Sequence, residues 1–190
     1  MTKKAVFLGY NREQTRLIES IIRLGWHVDW TDQAVDDLSG YDLAISFGYR
    51  HILKADVLAT ARRPVLNLHI AYLPWNRGAH PLFWAAYDGT PAGVTIHEID
   101  PGVDTGPICF QRKVELDYGT ETFATAYRTL IESIESLFEE HAPELLNGQY
   151  SATPQKGSGS VKRVRDMPAG FSWSELIAPT IHRLKHAEYA

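Results

Sequence analysis

One segment of this sequence carries polar side chains where a buried strand should be apolar. Val65-Leu66-Asn67-Leu68-His69-Ile70 has the composition of a strand, and the two-residue period sends Leu66, Leu68 and Ile70 to one face and Asn67 and His69 to the other. A carboxamide can donate its N–H to an oxygen that is gaining negative charge. An imidazole, with an ordinary pKa of about 6.5, can take or give a proton near neutrality. By themselves these two residues are better explained as the solvated face of a strand. A carboxylate enters from the loop Asp100-Pro-Gly-Val-Asp104-Thr-Gly-Pro107. Asp100-Pro101-Gly102 needs no more than turn chemistry, but Asp104 lies in a second tight turn that can aim its side chain at a neighbouring strand. Asp-Thr-Gly is also the triplet of aspartic proteases, which need two carboxylates sharing a proton. One copy followed by proline argues against that chemistry. A third cluster, Tyr72-Leu-Pro-Trp-Asn-Arg-Gly-Ala-His80-Pro81, leaves the Asn67/His69 strand and gathers Arg77, His80 and aromatic rings around Pro74 and Gly78.

The elements that must hold these groups alternate in type. Ala5–Tyr10, His27–Thr31, Leu43–Phe47 and Val65–Ile70 read as strands. Between them, Arg12–Leu24 carries an apolar stripe of Leu17, Ile18, Ile21, Ile22 and Leu24 at helical spacing, and Ile52–Ala61 also reads as a helix. Such alternation implies an α/β fold with a Rossmann-like, open, mostly parallel twisted sheet covered by helices on both faces. Ligands of such sheets bind beyond the C-terminal ends of the strands, which is where Asn67 and His69 lie. Pro81–Tyr87 is a helix led in by its proline, and Gly93–Ile99 and Ile108–Leu116 are strands joined by the Asp104 loop. Thr120–Leu146 is a long helix opened by Thr120 and Glu121 and interrupted near Pro143. Residues 148–170 carry the fewest signs of order and include Gly157-Ser-Gly-Ser160 and a basic patch. A last helix, Ser172–His186, is expected to be capped by Ser172 and bent at Pro179. The economical division is a catalytic domain over 1–148 with a short helical extension, 149–190, packed on it.

The chain has 190 residues and a net charge of −4, which argues against a general nucleic-acid binder. The single cysteine, Cys109, permits no internal disulfide and fits a reducing compartment. The apolar run Ala5–Leu8 is too short for a signal-peptide core, and no apolar stretch is long enough to span a bilayer. A cytoplasmic protein with neither nucleic-acid nor membrane partners is expected.

Asn67-Leu-His69, Leu73-Pro74-Trp-Asn-Arg77-Gly78, Gly93-Val-Thr-Ile-His97, Val103-Asp104-Thr105-Gly106-Pro107 and Gln111, in that order, resemble the signature of the folate-dependent formyltransferases. The resemblance runs over roughly residues 40 to 115. It implies that Asn67, His69 and Asp104 are catalytic and that 10-formyltetrahydrofolate is the formyl donor, with no metal. It also implies pterin contacts, largely through main chain, at Tyr49, Arg50, His51, Ile52 and Leu53 and at Asp100 and Val103. Asn67 would donate to the tetrahedral oxyanion. His69 would accept the amine proton or, if protonated, help hold the oxyanion; Asp104 would orient His69 or relay the proton through water. The Leu73–Pro74 bond is expected to be cis, as the resemblance suggests and as an X-Pro bond permits.

Within that family the first loop, Gly9-Tyr10-Asn11-Arg12, lacks the second glycine of the glycinamide ribonucleotide branch. The chain ends about where the RNA-binding domain of the methionyl-tRNA branch would start. The segment Asn67–Trp84 looks most like enzymes that formylate a nucleotide-linked amino sugar, an amino-dideoxy hexose used for surface polysaccharide such as lipopolysaccharide. Acceptor contacts are then expected from Tyr72, Arg77 and Gly78 and from Lys162, Arg163 and Arg165, whose charges suit a diphosphate. A homodimer stays open. So do a 10-formyltetrahydrofolate hydrolase, with water as acceptor, and a non-catalytic folate-binding module.

Overall fold

The computed structural model of the chain describes residues 2–187. The chain alternates as β1 (Lys4–Gly9), α1 (Leu17–Arg23), β2 (His27–Thr31), β3 (Leu43–Phe47), α2 (Ala55–Leu58), β4 (Leu66–His69), β5 (Arg77–Gly78) and α3 (Pro81–Asp88). It continues with β6 (Gly93–Glu98), β7 (Ile108–Lys113), α4 (Phe123–Glu140), α5 (Ala142–Asn147), β8 (Val161–Lys162), a 3₁₀ turn at Val164–Asp166 and α6 (Ile177–Ala187). The main sheet has the order β2-β1-β3-β4-β6-β7. β2, β1, β3 and β4 run parallel, and β6 and β7 add to them antiparallel. The mostly parallel sheet with helices on both sides is the one expected from the alternating pattern. Among the described residues no helix is long and apolar enough to cross a membrane.

The two faces of the sheet are unequal. Ala5 and Phe7, Leu43 and Ile45, Leu66 and Leu68, and Val94 and Ile96 pack with Leu17, Ile18, Leu130, Ile134 and Phe138 into one large core. The alternate residues Val6, Leu8, Ala44 and Val65 join Leu38, Leu53 and Val57 in a smaller one. The thin side is therefore the side to which the odd-numbered residues of β4 point. α4 is the spine of the larger core. A capping box starts it, in which Thr122 Oγ1 accepts from the Thr125 N–H at 3.1 Å and Thr125 Oγ1 accepts from the Thr122 N–H at 3.0 Å. The buried Glu135 carboxylate accepts from Thr15 Oγ1, the Arg16 N–H and Arg16 Nη1, tying α4 to the start of α1.

Several helices are shorter than their sequence pattern. α1 starts at Leu17 rather than Arg12 because the Asn11 carboxamide takes the amides of Glu13 and Gln14 and holds a turn. α2 is a single turn, since the chain stays extended through Lys54. The cap of α4 is Thr122, while Thr120 bonds to Asp117 instead. Ser172 caps no helix; residues 173–177 run beside the start of α4, with Trp173 and Glu175 carbonyls accepting from Ala124 and Phe123 amides. α6 starts at Ile177, so Pro179 falls in its first turn, where no backbone donor is needed, and does not bend it.

Residues 149–162 are more ordered than their composition suggests. Thr153 and Ile108 exchange backbone hydrogen bonds, and β8 pairs parallel with β5. The segment thus forms a strap across the loops that leave β4 and β6. Leu146, Tyr150, Met167, Phe171, Ile177, Ile181 and Leu184 pack into or against the large core.

Truncating Phe138 to alanine should cost about 3 to 5 kcal/mol, because the ring is fully enclosed in the larger core. Ile52, 81% exposed, should tolerate the same change within about 0.5 kcal/mol. Urea unfolding of the two variants checks the contrast.

Candidate active site

The register of the sheet brings the polar residues together. Asn67 on β4 lies directly opposite His97 on β6, and His69 lies opposite Thr95. The four side chains therefore share the thin face, at the C-terminal end of β4. Thr95 is fully buried and donates to the Ala71 carbonyl at 2.7 Å, while accepting from the Leu73 N–H and from Gln111 Nε2. Gln111 Nε2 also donates to the Leu73 carbonyl at 2.7 Å. Thr95 and Gln111 so anchor the turn that follows His69, and the Leu73–Pro74 bond within it is cis, as expected.

Asp104 arrives from the β6–β7 loop. Its Oδ2 accepts from the Gly78 N–H at 2.8 Å and its Oδ1 from Asn67 Nδ2 at 3.2 Å. His69 Nε2 is 3.6 Å from Oδ2, and His97 Nε2 is 3.5 Å from Oδ1. Asn67, His69 and Asp104 thus converge on one site, with Asp104 within a small adjustment of a direct hydrogen bond to His69. Nε2 of His69 also faces the Asn76 carbonyl at 3.4 Å. Both neighbours of that nitrogen are acceptors, so Nε2 carries the proton and Nδ1 the lone pair. His97 has the same tautomeric logic in reverse: Nδ1 donates to the Glu98 carbonyl at 2.8 Å, leaving Nε2 to accept from Asn67 Nδ2 at 3.1 Å.

Burial dominates the electrostatics of His69. It outweighs the attraction of Asp104, and with the nearby His97 it lowers the imidazole below its ordinary 6.5, so the ring is neutral at pH 7. For Asp104 burial acts in the raising direction. The charge that His69 takes up in acid, with the neighbouring His97 and the Gly78 amide, overrides it and holds the carboxyl well below the usual carboxylate range. At neutral pH the pair is a neutral imidazole beside a carboxylate. In acid the ring charges first and then resists protonation of Asp104.

Three non-glycine residues among those described have positive φ: Asn76 at 58°, His80 at 54° and Asp104 at 49°. All three lie in the loops around His69. Backbone strain of this kind persists only where the surroundings over-determine it. Asn76 is held on every side: its N–H donates to Ser160 Oγ, its Oδ1 accepts from the same hydroxyl, and its Nδ2 donates to Thr90 Oγ1. The His69-facing carbonyl is therefore fixed partly by the strap.

The other sequence-derived site residues divide into three groups. Gly78 supplies an amide to Asp104. Asp100 is used within its own loop, accepting from Thr105 Oγ1 and the Gly102 N–H, and Val103 is half exposed next to Gly78. In the loop after β3, Tyr49 OH donates to the Gln33 carbonyl and Leu53 is buried, while Arg50, His51 and Ile52 face outward. Tyr72 packs over Gly93 of β6. Arg77 gives Nε and Nη2 to Gln155 Oε1, and Lys162 is paired with Asp88 at 2.7 Å while lying 3.9 Å over the Trp84 ring. Of the basic run, Arg163 and Arg165 remain exposed. His97, which is 1% exposed, was quoted in the family signature but given no role; the alternation Gly93-Val-Thr-Ile-His97, with Thr95 and His97 on one face, was the available signal. Cys109 is no nucleophile, its thiol being pushed up to about 12 by burial and by Glu98.

A cavity of about 550 Å³ opens just past β4, walled by Ile70, His80, Pro81 and Leu82 on one side and Ala124, Tyr127 and Trp173 on the other. Ile70 follows His69, and Trp173 presents an indole that is 42% exposed. The volume is that of an ordinary small-molecule site.

Residues 30–140 match the formyl transferase family. A dTDP-4-amino-4,6-dideoxyglucose formyltransferase of Mycobacterium tuberculosis is 30% identical over 138 residues, or 73% of this chain. The chain spans 58% of the length of that relative. Among solved structures, the formyltransferase PseJ of Anoxybacillus kamchatkensis, in complex with UDP-4,6-dideoxy-4-formamido-L-AltNAc and tetrahydrofolate, is 36% identical with a TM-score of 0.81. That match covers 86% of this chain and 87% of PseJ. A sugar N-formyltransferase of Shewanella shares the fold, with a TM-score of 0.79 at 17% identity, over 95% of this chain and 85% of its own. The matched stretch includes β4, β6 and the Asp104 loop, so the residues that converge on the site lie inside it, and the chain belongs to the formyl transferase family.

Proposed function

We propose that this protein transfers a formyl group from 10-formyltetrahydrofolate to the amine of a nucleotide-linked amino-dideoxy hexose. The observation that carries the reading is the meeting of the Asn67 amide, a neutral His69 and an ionised Asp104 at the end of β4. The formamido sugar nucleotide and tetrahydrofolate bound to PseJ are the product and the spent carrier of such a transfer, and the amino-dideoxy sugar nucleotide in the name of the M. tuberculosis relative is an acceptor of the same class.

The chemistry follows from the geometry. The acceptor amine adds to the formyl carbon, and the carbonyl electrons move onto oxygen. Both N–H bonds of Asn67 are occupied, by Asp104 at 3.2 Å and His97 at 3.1 Å, so donation to the oxyanion exchanges one of them for the substrate oxygen. His69 Nδ1 accepts the proton that the amine loses, and the resulting imidazolium is stabilised by Asp104 across 3.6 Å. Collapse of the tetrahedral adduct restores the carbonyl and breaks the bond to the folate nitrogen, which takes the proton from His69 Nδ1 as it leaves and returns the ring to its neutral form. The folate occupies the thin side, against Tyr49–Leu53 and the Asp100–Asp104 loop. The sugar occupies the cavity between His80, Tyr127 and Trp173, and Arg163 and Arg165 take the diphosphate. The formamido sugar so made would serve surface polysaccharide synthesis.

The reading is tested by incubating the protein with 10-formyltetrahydrofolate and a panel of amino-sugar nucleotides and weighing the products. A formamido sugar supports it; release of formate alone, whatever amine is offered, overturns it. Asn67→Ala should lower kcat by about 10² to 10³, and an unchanged rate removes Asn67 from the mechanism. Because burial depresses His69 below 6.5, its basic form persists as pH falls through that value. The acid limb of kcat/KM should then lie below 6.5, and a limb above it removes His69 as the base. Replacing Arg163 and Arg165 by alanine should raise the acceptor KM and leave the folate KM unchanged.

A further inference from the structure

Gln155 lies in the strap, outside the residues that match the family, and its side-chain amide is saturated. Nε2 donates to the backbone carbonyls of Asp104 and Gly106, both at 2.8 Å. Oε1 accepts from Arg77 Nε at 3.1 Å and Arg77 Nη2 at 2.7 Å. One carboxamide therefore joins two loops that otherwise meet chiefly through the bond from the Gly78 N–H to the Asp104 carboxylate. Asp104 has a positive φ of 49°, a conformation that an L-residue with a Cβ holds only under restraint. Its carbonyl is gripped by Gln155, and the neighbour of the amide that grips its carboxylate is gripped by the same residue.

We infer that Gln155 is a positioning residue: it sets the Asp104 carboxylate against His69 by fixing both the backbone that carries the carboxylate and the strand that receives it. Asp104, in turn, is the group whose charge raises His69 against the larger effect of burial, while His97 acts in the lowering direction. Loosening Gln155 lets the carboxylate swing from its 3.6 Å approach, and the imidazole then loses its counter-charge during proton transfer. A displacement of about 1 Å at such a site is enough to cost about 100-fold in rate. Formation of the sheet does not call on Gln155, which is only partly buried and touches loops.

The inference rests on the formyl-transfer reading for its kinetic consequence but not for its electrostatic one, and two variants separate its parts. Gln155→Met keeps the length and volume and removes all four hydrogen bonds. Gln155→Glu keeps a partner for Arg77 and removes the donor to Asp104 and Gly106. In both, kcat should fall about 10- to 100-fold with the KM of donor and acceptor within about twofold of wild type. Nuclear magnetic resonance titration of His69, read in the protein alone, should move to lower pH in both. An unchanged His69 titration and unchanged kcat in both variants, even with a lowered Tm, overturns the inference and leaves Gln155 as a stabilising clamp. Loss of kcat in the Met variant but not in the Glu variant also overturns it, since the effect would then run through Arg77 alone. If no acceptor is formylated, the titration decides the question and the failure belongs to the proposed reaction.

Discussion

A carboxylate taken out of water must be given donors and positive charge, and the loops around β4 are organised to give them to Asp104. Its two oxygens are spent on the Gly78 amide and the Asn67 carboxamide, with the Nε2–H of His69 3.6 Å from Oδ2. Removing any one of these would leave a largely buried anion short of partners, which is far more costly than the net worth of the bond itself. This requirement explains why Gly78 must lie where it does: a Cβ there would collide with the Lys162 carbonyl, so β5 can approach β8 only as glycine. It also explains the tight return of the Asp104 loop, where a Cβ on Gly106 would collide with the Glu98 carbonyl. The same anion fixes Asn67, whose amide has no freedom until a competing oxygen arrives.

Burial has opposite consequences for Asp104 and His69. It disfavours the charged form of each, but Asp104 has donors to compensate and His69 has only one carbonyl besides the carboxylate. The outcome is an imidazole kept neutral and able to accept a proton, next to an anion that stabilises it once it has done so. Neither property belongs to the residue type; both follow from which neighbours each group has.

Much of this was legible in the sequence. The period-two pattern of Val65–Ile70 located Asn67 and His69 on one face, and the turn residues of Asp100–Pro107 located Asp104 in a loop able to reach them. What could not be read was anything that needed strand register or long-range pairing. His97 joins the site because β6 runs antiparallel to β4 with Asn67 opposite it, and no local pattern states that pairing. The Gly/Ser-rich stretch after 148 read as the least ordered part because its order comes from hydrogen bonds to distant loops rather than from its own periodicity. The partners of Lys162, Asp88 and Trp84, were not legible either, because they are far away in the chain. Helix ends erred for a similar reason, with side chains such as Asn11 competing for amides that a helical pattern assigns to the backbone.

The strap crosses the site on contacts of long separation, 84 residues for Ser160 to Asn76 and 78 for Gln155 to Arg77. Most of its side chains between 151 and 158 face outward, so it is attached by polar bonds with little apolar burial. Segments of that kind open at a fraction of the free energy of global unfolding. The strap follows the strands of the main sheet, all complete by Lys113, but precedes α6, whose Ile177, Ile181 and Leu184 finish the larger core. The strap can thus open while the sheet and its core stay closed, and a molecule with an intact sheet can still be one whose Asn76 and Asp104 loops have lost their clamp.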